Sequence, residues 1–179
     1  MLPLRVSAVQ GSSTDQRVRR LVHDHLDAVV RTLAKLGVPD GALDDAAQQV
    51  FLVATSKLEG IELGRERPYL FGIALRVASH ARRTVQRRRE SPMDHEFSMP
   101  AAGALPDQLL DDRRAYALLE SIVAELPDGM REAFVLFEIE ELTANEVAEL
   151  LEIPLGTVAS RVRRAREQVR ESLLRARKP

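Results

Sequence analysis

Near the end of this chain Val158, Val162, Ala165, Val169 and Leu173 recur at steps of four, three, four and four. That spacing fits one apolar stripe on an α-helix. A stripe must be buried against something, so the segment belongs to a folded unit and is not a solvated tail. At about 100° per residue, Thr157, Ser160, Arg163 and Arg164 point away from the stripe, while Arg161, Arg166 and Arg170 lie nearer its flanks. The last nineteen residues hold eight of the 26 Lys and Arg against two acids, in a protein whose formal net charge is only -1. The helix therefore presents a basic face outward.

What precedes that helix narrows its use. In "LTANEVAELLEIPLGTVASRVRRAR", Thr143 is a good N-cap and Glu146, three positions on, completes a capping box. Val147, Leu150 and Leu151 turn inward on a short helix, and "EIP" stops it before the basic helix begins. Two helices joined by a tight turn, the second longer and basic, form a helix-turn-helix, in which the first braces the second for entry into the major groove. Thr157, Ser160, Arg163 and Arg164 are the candidates for base edges, and Arg161 and Arg166, with Arg170, for phosphates. The plainer alternative is a basic helix of a bundle that touches no DNA.

Nearly all of the remaining sequence also carries the helical period, and no stretch alternates with period two for long. The exception is "ESPMDHEFSMPAAGALPDQ", with three prolines, a glycine and no apolar period, which reads as a linker. The expected fold class is all-α: two small helical domains joined by a flexible linker, the second containing the helix-turn-helix. The expected boundaries are a flexible tail at 1–16, a first domain at 17–90, a linker at 91–107 and a second domain at 108–179. Charge follows this division: six arginines and no acid from Arg76 to Arg89, then thirteen acids and three arginines from Asp107 to Glu152, then the basic terminus. Such blocks bind partners locally although the total is near neutral.

Within the first domain a helix from about Arg17 ends at "GVPDG", which is turn chemistry. The second, from about Leu43, turns Leu43, Ala46, Val50, Phe51, Ala54 and Leu58 inward and leaves Asp44, Asp45, Gln48 and Gln49 outside. A third begins near Pro68, which suits a first turn, and runs to about Arg89 with Leu70, Ile73, Val77, Ala81 and Val85 as its expected core stripe. Roughly 110° from that stripe lie Tyr69, Arg76, His80 and Arg83, followed by Arg87. Cations for phosphates and a ring on which an unstacked base can lie are what single-stranded nucleic acid requires; an ordinary solvated face is the alternative.

Several classes are disfavoured. The longest apolar runs are far too short to span a bilayer, so no membrane insertion is expected, and the N-terminus does not read as a secretory signal. With no cysteine there is no disulfide or thiolate chemistry, which fits a reducing cytoplasm. His23 and His25 fall on different helix faces, and there is no phosphate-binding glycine loop, zincin helix or nucleophile elbow. Neither a cofactor nor a metal nor an enzymatic activity is expected.

Taken in order, "LDDAAQQVFLVA", "YLFGIALRVASHARR" and "LPDGMREAFVLFEIEELTANEVAELLEIPLGTVASRVRRAR" resemble a bacterial RNA polymerase sigma factor of the small, extracytoplasmic-function (ECF) type, over about residues 17–175. The resemblance implies a division of labour. The first domain would be region 2, with Asp45, Gln48 and Gln49 docking on the largest subunit of core RNA polymerase, and with the third helix and the loop before it, Tyr69, Arg76, His80 and Arg83 included, opening the -10 element. The second domain would be region 4, reading the -35 element of promoter DNA from about Leu155. Its helices around Phe134 and Phe137 would meet the second-largest subunit. Proteins of this type are often held by an anti-sigma factor. The chain departs from the family where Tyr69 stands in place of a frequent tryptophan, where Leu75 and Arg76 replace a common Arg-Asn pair, and where Ala159 replaces a frequent basic residue. The expected function is thus a non-enzymatic initiation factor, and the competing one a free-standing helix-turn-helix regulator that binds operator DNA without polymerase.

Overall fold

The computed structural model describes the backbone of residues 7–90 and 107–176, with side chains over 14–87 and 116–176. Seven helices occupy the described residues, with no strand among them: α1 (Ser7–Lys35), α2 (Leu43–Ser56), α3 (Glu66–Glu90), α4 (Asp107–Ala124), α5 (Asp128–Phe134), α6 (Ala144–Leu151) and α7 (Leu155–Ala176). A wider π turn over Val135–Ile139 continues α5. Of the segment expected as a linker, residues 91–106 lie outside the described residues; the last, Asp107, opens α4.

α1 begins ten residues before the expected start. The Gly-Ser-Ser-Thr-Asp run at 11–15 reads as a helix breaker, but no proline interrupts the segment, and the chain stays helical through it. The other end falls as expected. Gly37 takes φ +87, and Val38 N donates to Leu33 O at 3.0 Å, so a left-handed glycine closes the helix and satisfies its last carbonyls.

In the N-terminal half, α1, α2 and α3 pack together around Val29, Leu33, Val50, Ala54, Leu70 and Ala74, all fully buried. In the C-terminal half, α7 lies against α4, α5 and α6 and buries Val158, Val162, Ala165 and Val169, the expected stripe, with Leu173 half-buried. The capping box forms as expected. Glu146 N donates to Thr143 Oγ1 at 3.3 Å, and Thr143 N donates to a Glu146 carboxylate oxygen at 2.9 Å. Thr143 Oγ1 also donates to that carboxylate at 2.7 Å, and this bond first, then the one from Thr143 N, holds the Glu146 carboxyl below the usual carboxylate range.

The core stripe of α3 needs correction. Leu70 and Ile73 are buried, but Val77, Ala81 and Val85 are only half-buried, and Phe71, Ala74, Leu75 and Ala78 are buried instead. The reason is that α3 is covered from two directions, by its own half and by the C-terminal half. Leu150 of α6 reaches so near α3 that a Cβ on Gly72 would stand 2.9 Å from its Cδ2.

Polar contacts fill the rest of this joint between the halves. Glu140, only 6% exposed, accepts a hydrogen bond from Thr32 Oγ1 at 2.7 Å and faces Arg67 at 3.4 Å. Arg82 donates to Leu36 O and, at 2.7 Å, to Glu132; its buried Nε lies 3.4 Å from Asp128 without the alignment of a hydrogen bond. Beside it, Arg131 donates to the carbonyls of Val123, Ala124 and Leu126 and so closes the end of α4. Burial, above all, pulls its guanidinium below the ordinary arginine value.

Candidate nucleic-acid interface

The helix-turn-helix is built by α6, a turn at Glu152–Pro154 and α7. Glu152 adopts the left-handed conformation, φ 53, and Ile153 N donates back to Ala148 O at 3.1 Å, which aims the chain sharply into α7. Because the buried stripe pins α7 against α5 and α6, its other side faces solvent. Arg163 and Arg164 are exposed there. Arg163 is steadied by Glu167, one turn on, at 2.7 Å, and Arg164 makes none of the ion pairs or hydrogen bonds found among the described residues.

The remaining candidates on α7 are less free. Thr157 and Ser160 are half-buried, and Ser160 Oγ donates to Thr157 O at 2.9 Å. Arg161 lies along the start of α5, its guanidinium 3.0 Å from where a Cβ on Gly129 would stand. Arg166 donates to Glu138 through Nε at 2.8 Å and sits 5.9 Å from the Phe137 ring centroid. Phe134 is buried and Phe137 half-buried. The outward basic face is thus carried by Arg163, Arg164 and Arg170.

On α3, Arg76, His80 and Arg83 are exposed along one edge, as the wheel requires, and Leu75 beside them is core. Tyr69 at the head of the row differs. It is half-buried and lines a cleft with Ile61, Arg65 and Pro68 on one side and Glu146, Glu149 and Leu150 of α6 on the other. Arg67, also at this end, stacks over Phe71 at 5.5 Å while facing Glu140.

A third surface lies between α1 and α2 of the N-terminal half. Asp45, Gln48 and Gln49 are all exposed on α2, and Asp45 and Gln48 edge a groove between α1 and α2 floored by Val22, Val30 and Phe51. Leu26 and Leu52 stand in this groove 41% and 58% exposed. Sequence reasoning missed both leucines. The available signal was Leu52, one residue off the inward stripe of α2, where a solvated helix would carry a polar residue.

The C-terminal half matches the family model "Sigma-70, region 4" over residues 116–169, the stretch that holds α5, α6 and most of α7. Over 154 residues the chain is 31% identical to the ECF RNA polymerase sigma factor SigE of Mycolicibacterium smegmatis, a match covering 86% of this chain and 60% of that protein. It is 28% identical over 166 residues to the ECF RNA polymerase sigma-E factor of Escherichia coli K12, covering 87% and 86%. The chain belongs to the ECF-type sigma factors. Solved structures of this ECF fold extend the likeness to both halves. CnrH, in complex with the cytosolic domain of CnrY, aligns with a TM-score of 0.67 at 26% identity over 96% of each chain. The sigma factor RpoE of Bartonella quintana, in complex with the anti-sigma factor NepR, aligns with a TM-score of 0.67 at 21% identity over 87% of this chain and 95% of its own, a likeness of fold. As an ECF sigma factor the chain spans 60% of the length of its M. smegmatis relative, and among its described residues no helix is long and apolar enough to cross a membrane.

Proposed function

We propose that this ECF sigma factor is a non-enzymatic subunit of cytoplasmic RNA polymerase that directs the core enzyme to promoters. The observation that carries the reading is the pairing, in one chain, of a braced helix-turn-helix with an outward arginine face and a second basic helix headed by a tyrosine. In this reading the N-terminal domain, 17–90, binds core polymerase and the -10 element, and the C-terminal domain, 108–179, reads the -35 element. Arg163 and Arg164 meet base edges in the major groove, Thr157 and Ser160 pack at its rim, and Arg161 and Arg166 set the phosphate path. Tyr69 stacks an unpaired base of the -10 strand, and Arg76, His80 and Arg83 follow its phosphates. Asp45, Gln48 and Gln49 dock on the largest polymerase subunit, and the groove beside them, with Leu26 and Leu52, supplies the apolar centre that a stable interface needs. The region around Phe137 meets the second-largest subunit. An anti-sigma factor is a further partner, by analogy with the B. quintana relative.

The test is anisotropy of a labelled promoter fork with an unpaired -10 strand, with and without sigma-free core polymerase. Tight, sequence-selective binding only in the presence of core is expected, and Arg164→Ala should relax preference at one or two -35 positions by about 1–3 kcal/mol. Equally tight binding by the chain alone, unaffected by core, would replace this reading with a free-standing regulator.

A further inference from the structure

The first turn of α7, the end that leads a helix-turn-helix into DNA, is bare of charge. No residue from Pro154 to Ser160 is ionisable, and the first cation, Arg161, is turned back along the start of α5. Pro154, Leu155, Gly156 and Ala159 are all exposed, Leu155 by 49%. Leu155, Ala159 and Arg163 follow one another at steps of four and form one outward row, in which Arg163, tied to Glu167, is the first charge. A single exposed leucine is ordinary on a protein surface, but this one stands at the tip of the element that meets DNA. Gly156 supplies a second, independent observation. Its backbone is helical, so no left-handed turn requires it, and a Cβ built on it meets nothing within 4 Å, so no neighbour in the fold requires it. Gly72 is different, because Leu150 explains it. Glycine is the poorest helix former after proline, and one that neither packing nor conformation explains lets something outside the chain come close to the backbone.

We infer that Leu155, Gly156 and Ala159 form an apolar reader that selects thymine in the major groove by its 5-methyl group, with Gly156 admitting the base edges to the helix backbone. The inference rests on the reading of α7 as the -35 helix and adds the chemistry by which its first turn chooses bases. A hydrocarbon side chain offers no donor or acceptor to guanine or adenine, and the group it rewards in the major groove is the thymine methyl. Readout by hydrogen bonds is then left to Arg163 and Arg164, further along α7.

The placement suits this use. Side chains of a helix tilt toward its N-terminus, so Leu155 and Ala159 lead into the groove ahead of the arginines. Their Cβ atoms, one turn apart, lie about 5–6 Å from each other, against about 3.4 Å between successive base pairs. The two side chains therefore cover neighbouring pairs. Burial of Val158 and Val162 and the hydrogen bond from Ile153 N to Ala148 O fix this turn before DNA arrives, so little ordering is required on binding. Covering a half-exposed leucine with methyl groups then favours A·T pairs at the positions it faces.

The test uses holoenzyme formed from the full chain and core polymerase, with labelled duplex promoter fragments whose -35 positions are randomised. The fragment that holoenzyme selects is remade with each thymine of the -35 element, on either strand, changed singly to deoxyuridine. That change deletes the methyl group and leaves every hydrogen-bonding edge. Anisotropy should show about fourfold weaker binding at one or two positions and no change for deoxyuridine outside the element. Leu155→Ala with Ala159→Ser, both at exposed sites, should bind thymine and deoxyuridine fragments alike. Gly156→Ala should keep or raise the thermal midpoint of the free chain, yet weaken binding of the selected fragment by about tenfold, because the added methyl holds the bases off. A selected element without thymine, no sensitivity to deoxyuridine in the parent, or parent-like binding by Gly156→Ala would each overturn the inference. So would a double variant that loses affinity equally on thymine and deoxyuridine DNA, which would place Leu155 against polymerase. If holoenzyme selects no preferred -35 sequence at all, the -35 assignment of α7 itself fails, and this inference with it.

Discussion

The two basic helices α3 and α7 are of similar length and carry similar rows of arginine, but they are buried in different ways. α7 is held by one half of the molecule along one stripe, and its basic side is left to solvent. α3 is held by both halves, and carboxylates of the other half occupy the end of it that bears Tyr69. An amphipathic helix with one buried side can be used as soon as it folds. A helix buried from two sides belongs to the joint as well as to its own half, and a change in it is felt by both.

The largest effects that would break this comparison come from the core. Phe71→Ala in α3 removes a ring only 1% exposed and should cost about 3–5 kcal/mol, whereas Val162→Ala in α7 should cost about 2 kcal/mol. If α3 joins the halves, denaturant unfolding of Phe71→Ala followed by circular dichroism should remain a single transition at a lower midpoint. A second transition that keeps the C-terminal half at its parent midpoint would mean that the joint adds nothing to cooperativity. A smaller effect is expected at Gly37, where an alanine meets both a left-handed φ and the Arg131 guanidinium 2.8 Å away. Gly37→Ala should destabilise by about 1–2 kcal/mol, measured by the same unfolding, and a neutral result would remove Arg131 from the joint.

The smallest effect concerns the brace of α7. The Glu146 carboxyl is held below its ordinary value by Thr143, so its contribution is complete above the unfolded carboxyl's pKa and is lost as pH falls through the lowered folded value. The stability difference between the parent chain and Glu146→Gln should therefore be constant near neutrality and shrink in acid. A difference that does not change with pH would mean that the capping box is not the source of the shift.

Legibility in the sequence followed the same contrast. The stripe of α7, the capping box at Thr143, the stop at Glu152–Pro154 and the exposed row at Arg76, His80 and Arg83 could all be read from spacing, because each depends on residues within a few turns of one another. Asp45, Gln48 and Gln49 were placed outside correctly for the same reason. Leu26 and Leu52 were not foreseen, since a hydrophobic groove between two helices depends on how those helices pack. The joint left one local trace: Gly72 sits inside a helix, where glycine costs about 1 kcal/mol against alanine, and its reason appears only in the approach of Leu150. Burial of Glu140 and Arg131 left none, because a charged residue on a helix wheel is assigned to water unless its partner is known.

The sequence by itself determined the helices, their inward faces and the two basic rows, since periodicity and capping act over distances of one or two turns. Tertiary structure alone decided which parts of those rows are covered, as at Tyr69. Ion pairs such as Arg67 with Glu140 and Arg82 with Glu132 join residues 73 and 50 positions apart, and no local preference encodes a partner at that range; it is fixed only when the packed halves bring opposite charges together out of water.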